Sequence, residues 1–150
     1  MPNGYHDGGN HQYDMGALAL NLDSSGRRVG NVVGYQGYQF GDSNNGRYWP
    51  DVRQFGYSMD THPARSGISP YGHDPRFCVG AVSTPAYQEL ACDIGHGGSG
   101  GPTIYDMPLS RGWGYIIGHN SFQTVLGGHT NYGPVLGTAA INIHNAVQAD

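Results

Sequence analysis

Gly95-His96-Gly97-Gly98-Ser99-Gly100-Gly101-Pro102 is the stretch around which the chain is organised. Glycines crowd a single serine, and a proline closes the run. Glycine reaches backbone angles that other residues avoid and lets a ligand approach the main chain closely. A serine in such a run can be held at a tight, exposed bend with successive backbone N–H groups turned to one side. Donors placed like that stabilise the oxyanion of acyl transfer. The plainer reading is a flexible glycine turn. In a chain with 26 glycines, a bare Gly-x-Ser-x-Gly does not decide between the two.

The flanks do. From Cys92-Asp93-Ile94 through Pro102 the segment resembles the nucleophile segment of trypsin-like (chymotrypsin-fold) serine proteases, most closely the extracellular bacterial and fungal branch. The family pattern Gly-x-Ser-Gly-Gly-Pro matches from Gly97 to Pro102. Tyr13-Asp14-Met15-Gly16-Ala17-Leu18-Ala19-Leu20 is similar to the strand that carries the triad aspartate. Phe55-Gly56-Tyr57 resembles the Gly-Tyr turn early in the second barrel. Ile117-Gly118-His119-Asn120-Ser121-Phe122 resembles the strand bordering the specificity pocket. These pieces stand in the family's order and together span most of the chain.

The resemblance implies an all-β, chymotrypsin-like double β-barrel. Its two barrels need more than 150 residues, although that length alone favours one domain. The expectation is therefore the end of the first barrel and the inter-barrel connection over residues 1–46. A complete second barrel with a C-terminal helix follows over residues 47–150. Composition agrees with a loop-rich β protein: charged residues are 12 % and there are 11 tyrosines, whereas a helical bundle would want Ala, Glu, Lys and Leu.

Other classes are disfavoured. Net charge is −4, and Arg27-Arg28 is the one basic cluster, so nothing tracks phosphates and no nucleic-acid partner is expected. No apolar run nears the ~18 residues of a membrane span. The stretch Met1-Pro2-Asn3-Gly4-Tyr5-His6 lacks the basic and apolar parts of a signal peptide. Cys78 and Cys92 fit one disulfide in an exported protein, two buried thiols, or, least well, a zinc site. No Cys-x-x-Cys or His-Glu-x-x-His spacing occurs, so no metal and no cofactor are expected. The resemblance favours the disulfide, since family members often pair cysteines here. It also implies a secreted enzyme that is monomeric when complete.

Read in order, residues 1–12 form a turn-rich loop. Tyr13 to Leu22 is apolar on both faces and predicts a strand buried on both sides. Val29 to Phe40 reads as an irregular hairpin or an extended connection, and Asp42-Ser43-Asn44-Asn45-Gly46 breaks the chain. Strands are predicted over Tyr48–Tyr57, Phe77–Val82, Thr103–Tyr105 and Trp113–His119, with Trp113, Tyr115 and Ile117 on one face. Asp60 to Asp74 is a long loop, which in the family walls the substrate cleft. Leu90-Ala91-Cys92 leads into the nucleophile turn. Gly127 to Asn131 is a loop, and Tyr132 to Leu136 resembles the last barrel strand. Thr138 to Ala149 predicts a helix with Ala140, Ile143, Ala146 and Val147 on one face.

Acyl transfer by serine needs a hydroxyl, a base, a carboxylate to orient that base, and paired donors for the oxyanion. By resemblance Ser99 is the nucleophile, Asp14 the carboxylate, and the N–H groups of Gly97 and Ser99 the oxyanion hole. Ser121 matches the serine that hydrogen-bonds the buried aspartate. Asp93, six residues before Ser99, matches the position that binds Lys or Arg in trypsins, although many relatives without that preference also carry Asp there. His119 or Asn120 falls near where glutamate-specific relatives bind the substrate carboxylate; His119 reads equally as a satisfied strand histidine. His96 reads as a rim residue.

Two departures matter. The family's Thr-Ala-Ala-His-Cys-like segment has no counterpart in these residues, and His11, three before Asp14, has no precedent as the base. The expectation is a piece of a longer protease whose histidine lies upstream, nearly inactive alone. Gly98 stands where animal trypsins carry an aspartate, so activation by an N-terminal ion pair is not expected. The function read here is a serine endopeptidase acting on polypeptides. Its rival is a catalytically inactive homologue acting as a binding module; esterase activity on the same groups is a third reading.

Overall fold

The computed structural model describes residues 9–40, 47–59, 74–84, 86–124 and 129–148. The expected barrel boundary at 42–46, nearly all of the 60–74 loop and residues 127–128 lie outside the described residues. The strands are β1 (Gly37–Tyr38), β2 (Tyr48–Gly56), β3 (Arg76–Ser83), β4 (Gln88–Ala91), β5 (Pro102–Tyr105), β6 (Tyr115–His119), β7 (Phe122–Thr124) and β8 (Thr130–Gly133). Two helices join them, α1 (Val29–Val33) and α2 (Thr138–Gln148).

The strands form one sheet in the order β1-β6-β5-β2-β3-β4-β8-β7. β6 and β7 sit at or near opposite ends of that order, yet only Asn120 and Ser121 separate them in the chain. Asn120 N donates to Gly101 O beside β5 at 2.9 Å, and Ser121 N donates to Tyr132 O on β8 at 2.7 Å. The order therefore meets itself at Asn120–Ser121, and β2, β3, β4, β8, β7–β6 and β5 curl into a barrel. β1 adds to it from outside, parallel to β6. This is the mostly β, chymotrypsin-like architecture that the sequence led to.

The core follows from the pleat and one bulge. Trp49 and Val52 on β2 both face inward although three positions apart, because the register slips between them. Pro50 cannot donate to the ladder and Asp51 takes φ 51°, which places the extra residues outside. Val82, Leu90, Cys92, Ile94 and Ile117 complete the apolar cluster. The polar interior is chained together: Gln54 Nε2 donates to Thr103 Oγ1 at 3.1 Å, and Asn131 Nδ2 donates to Gln54 Oε1 at 2.6 Å. Gln88 Nε2 donates to the Ile117 carbonyl.

Four expectations are corrected. Residues 13–22 are not a strand: a 3-10 turn over His11–Tyr13 leads into irregular chain, and only Met15 is buried there. Apolar content on two faces does not make a strand without a ladder partner, and none of the described residues pairs with 16–22. Val29–Phe40 is neither hairpin nor fully extended but α1 followed by β1. On β6 only Ile117 enters the core; Tyr115 is paired at the end of β5 and lies over Gly37, and the exposed Trp113 precedes the strand under the Arg111 guanidinium, 4.1 Å from its ring centroid. In α2, Ala140 is buried but Ala146 is exposed. The helix instead meets the β1 segment, where Tyr38 Oη and His144 Nε2 share a 2.5 Å hydrogen bond and Phe40 lies 5.5 Å from the His144 ring.

Candidate active site

The loop between β4 and β5 carries Ser99, and backbone hydrogen bonds sew it down on both sides. Met59 N donates to His96 O at 2.7 Å, and Gly100 N donates to Asn120 O at 2.8 Å. Within the loop, Gly98 N donates to Gly95 O at 3.3 Å and Gly101 N to Gly98 O at 3.1 Å. Ile94, 1 % exposed, anchors its start. Gly97 has φ 86°, a conformation that L side chains rarely adopt, and a Cβ there would stand 2.7 Å from Tyr57 O. Gly98 is buried, and a Cβ on it would collide with Ile94 Cγ2. A side chain at that position, acidic or otherwise, has no room.

Ser99 itself is exposed. Among the described residues neither its hydroxyl nor the N–H groups of Gly97 and Ser99 have a hydrogen-bond partner. Ser99 borders two cavities. One, about 450 Å³, includes Gly56, Tyr57, Pro75 and Gly97; the other, about 390 Å³, includes His96, Asn120, Ser121 and Gln123.

Asp14 follows the 3-10 turn, which Asn10 caps by accepting from Gln12 N at 3.0 Å. The buried Met15 pins the other side. Ser121 Oγ donates to Asp14 Oδ2 at 2.6 Å, joining residues 107 positions apart. Ser121 thus touches Asp14 while lining a cavity with Ser99. Asp14 also borders a third cavity, about 410 Å³, with Gly100, Pro102 and His119. The two residues, far apart in sequence, meet in this one contact.

Other predicted residues fall differently. His119 Nε2 donates to the Asp14 carbonyl at 2.6 Å and lies on the Asp14 side, away from the cavity shared by Ser99 and Ser121. Asn120 is 3 % exposed and lines that cavity while its backbone holds the Ser99 loop. Asp93 Oδ1 lies 3.1 Å from His129 Nδ1 and accepts from Gln123 Nε2 at 3.3 Å. The Cys78–Cys92 disulfide ties β3 to the segment entering the loop.

Three residues were not singled out as site residues by sequence. His11 Nδ1 lies 3.3 Å from Ser121 Oγ, and its ring centroid is 4.8 Å from that of Phe122. The one Ser121 hydroxyl proton goes to the Asp14 carboxylate, so His11 Nδ1 is the donor to Ser121 Oγ. Its nearness to Asp14 in sequence was the available signal. Gln123 and His129 carried none: they reach Asp93 only through the β4–β8–β7 pairing.

No family model matches this chain, and no curated protein does. Two solved structures are similar. Protease Anisep from Arthrobacter nicotinovorans shares 28 % identity with a TM-score of 0.69, over 99 % of this chain and 64 % of that one. The thermostable serine protease AL20 from an extremophilic microorganism shares 22 % identity with a TM-score of 0.61, over 85 % of this chain and 55 % of that one, a likeness of fold. The trypsin-like resemblance read around Ser99 thus has structural counterparts among proteases along nearly the whole chain. The chain spans under two thirds of either protease.

Proposed function

We propose that this chain carries the nucleophile, the orienting carboxylate and the oxyanion donors of a serine-type endopeptidase that hydrolyses polypeptides through an acyl-enzyme on Ser99. The observation that carries the reading is the exposed Ser99, unpartnered at a bend between two cavities, with the N–H groups of Gly97 and Ser99 unengaged by other described residues. The Ser121–Asp14 hydrogen bond supports the second half of the triad.

Ser99 Oγ attacks the scissile carbonyl carbon while an imidazole takes its proton. The oxyanion that forms is held by the Gly97 and Ser99 N–H groups; one such donor is worth about 3 kcal/mol of transition-state stabilisation. Collapse expels the amine, which takes the proton from the imidazolium. Water then attacks the ester with the same imidazole as base, and Ser99 is regenerated. Asp14, kept in place by Ser121, orients the imidazole and stabilises its cation.

None of the described histidines hydrogen-bonds both the Asp14 carboxylate and Ser99: His11 lies on Ser121 and His119 on the Asp14 carbonyl. The reading takes the base from a histidine other than these two. It takes the enzyme as extracellular, which the Cys78–Cys92 disulfide favours, and as a monomer when complete. No helix among the described residues is long and apolar enough to cross a membrane.

Peptide hydrolysis by the protein isolated from its source tests this. Ser99→Ala and Asp14→Asn are each expected to lower kcat by about three orders of magnitude or more while substrate binding persists. Unchanged turnover in Ser99→Ala ends the reading. Substrate-like peptides bound by a wild-type protein that never cleaves them would favour the binding-module alternative.

A further inference from the structure

We infer that the cavity beside Ser99 takes a neutral substrate side chain, because Gln123 and His129 hold the carboxylate of Asp93 away from it. The inference rests on the protease reading and adds its substrate class: polypeptides cleaved after uncharged residues, rather than after lysine or arginine.

Asp93 is the residue from which a preference for basic side chains would come. It is not among the described residues lining the Ser99 cavity, where Gln123 forms part of the wall instead. Gln123 Nε2 has three acceptors in reach: Cys92 O at 3.3 Å, Asp93 Oδ1 at 3.3 Å and His129 Nδ1 at 3.2 Å. An amide nitrogen has two protons to give. His129 Nδ1 also lies 3.1 Å from Asp93 Oδ1. An unprotonated Nδ1 there would set lone pair against lone pair.

One assignment gives each of these protons an acceptor. His129 Nδ1 carries its proton and donates it to Asp93. The two Gln123 protons then go to Cys92 O and Asp93 Oδ1. The carboxylate oxygen that a basic side chain would seek already accepts two hydrogen bonds. Gln123, not Asp93, lines the cavity among the described residues. A lysine or arginine entering there would lose its water and gain no full counter-charge, which is costly. A neutral side chain gives up far less.

The test uses the protein isolated from its source and peptidyl diphenyl phosphonates bearing arginine, glutamine or leucine at the reactive position. A fluorophosphonate with no side chain is the control. Adduct formation on Ser99 is followed by intact mass. The neutral probes are expected to react about tenfold faster than the arginine probe. In the double variant Gln123→Gly/His129→Ala, which frees Asp93, the arginine probe should gain about tenfold, and Asp93→Asn should abolish that gain. An arginine probe that is fastest on the wild type and slowed by Asp93→Asn overturns the inference while the fluorophosphonate adduct leaves the protease reading standing. If the fluorophosphonate fails, that reading has failed, and benzamidine binding, followed by thermal shift, decides the cavity by itself. Saturable binding lost in Asp93→Asn overturns the inference; binding that appears only in the double variant upholds it.

Discussion

At Gly98 the site depends on the absence of a single carbon. A Cβ there would meet Ile94 Cγ2, Gly95 O at 3.2 Å and Asn120 Nδ2 at 3.3 Å. Overpacking of this kind typically costs about 1–3 kcal/mol. Gly98→Ala is therefore expected to displace Ser99 and slow fluorophosphonate labelling more than it lowers Tm; equal labelling would mean that the loop yields freely. Ser121 offers a second test. Its hydroxyl supplies a hydrogen bond to the half-buried Asp14 carboxylate at 2.6 Å. Bonds to charged groups contribute about 1.5–3 kcal/mol. Ser121→Ala should lower kcat by about tenfold or more with KM little changed, and Ser121→Thr should restore part of it. Ser99, Asp14 and Ser121 were legible because each sits in a short local pattern. Gln123 and His129 were not, because strands distant in sequence bring them to Asp93.

The elements divide in the same way. β2, β3, β5 and β6 could be read from alternation and turn residues, but the bulge at Pro50-Asp51, β4 and the short β1 and β7 could not. Their existence depends on partners rather than on their own residues. Leu18, Leu20 and Leu22 misled for the converse reason: an apolar run signals burial only where something covers it, and these are 87 %, 66 % and 57 % exposed. The Cys78–Cys92 bridge closes a loop of separation 14 just before Ser99. A crosslink of that span is worth about 3 kcal/mol in the chain-entropy model. Replacing both cysteines with alanine should lower stability by about that amount in denaturant unfolding. The Asp23 turn gives a pH test. The Arg27 backbone N–H, followed by the Arg27 side chain and the Ser25 N–H, holds the Asp23 carboxyl below its ordinary value. A lowered pKa means the turn's hydrogen bonds are intact above the ordinary carboxyl range and are lost as pH falls through the lowered value. The amide resonances of Ser25 and Arg27 should move together in that window, and movement at the ordinary aspartate value would contradict the assignment.

For the whole molecule, protection should follow the barrel. β2 packs between β3 and β5, and the core cluster lies behind these strands. Residues 16–35 carry Val33 at 75 % and Tyr35 at 79 % exposure besides the three leucines. Amide exchange should be slow in β2 and β3 and fast over 16–35 in the isolated 150-residue chain. Slow exchange over 16–35 would show that this face is covered. The closure at Asn120–Ser121 brings Ser121 against Asp14 and onto one of the two cavities that Ser99 borders. The central claim is that Ser99 is the nucleophile those cavities serve. The most direct test is fluorophosphonate labelling of the protein as isolated from its source, read by intact mass and peptide mapping. The account predicts one adduct, on Ser99, lost in Ser99→Ala. No adduct, or an adduct that survives that substitution, would contradict it.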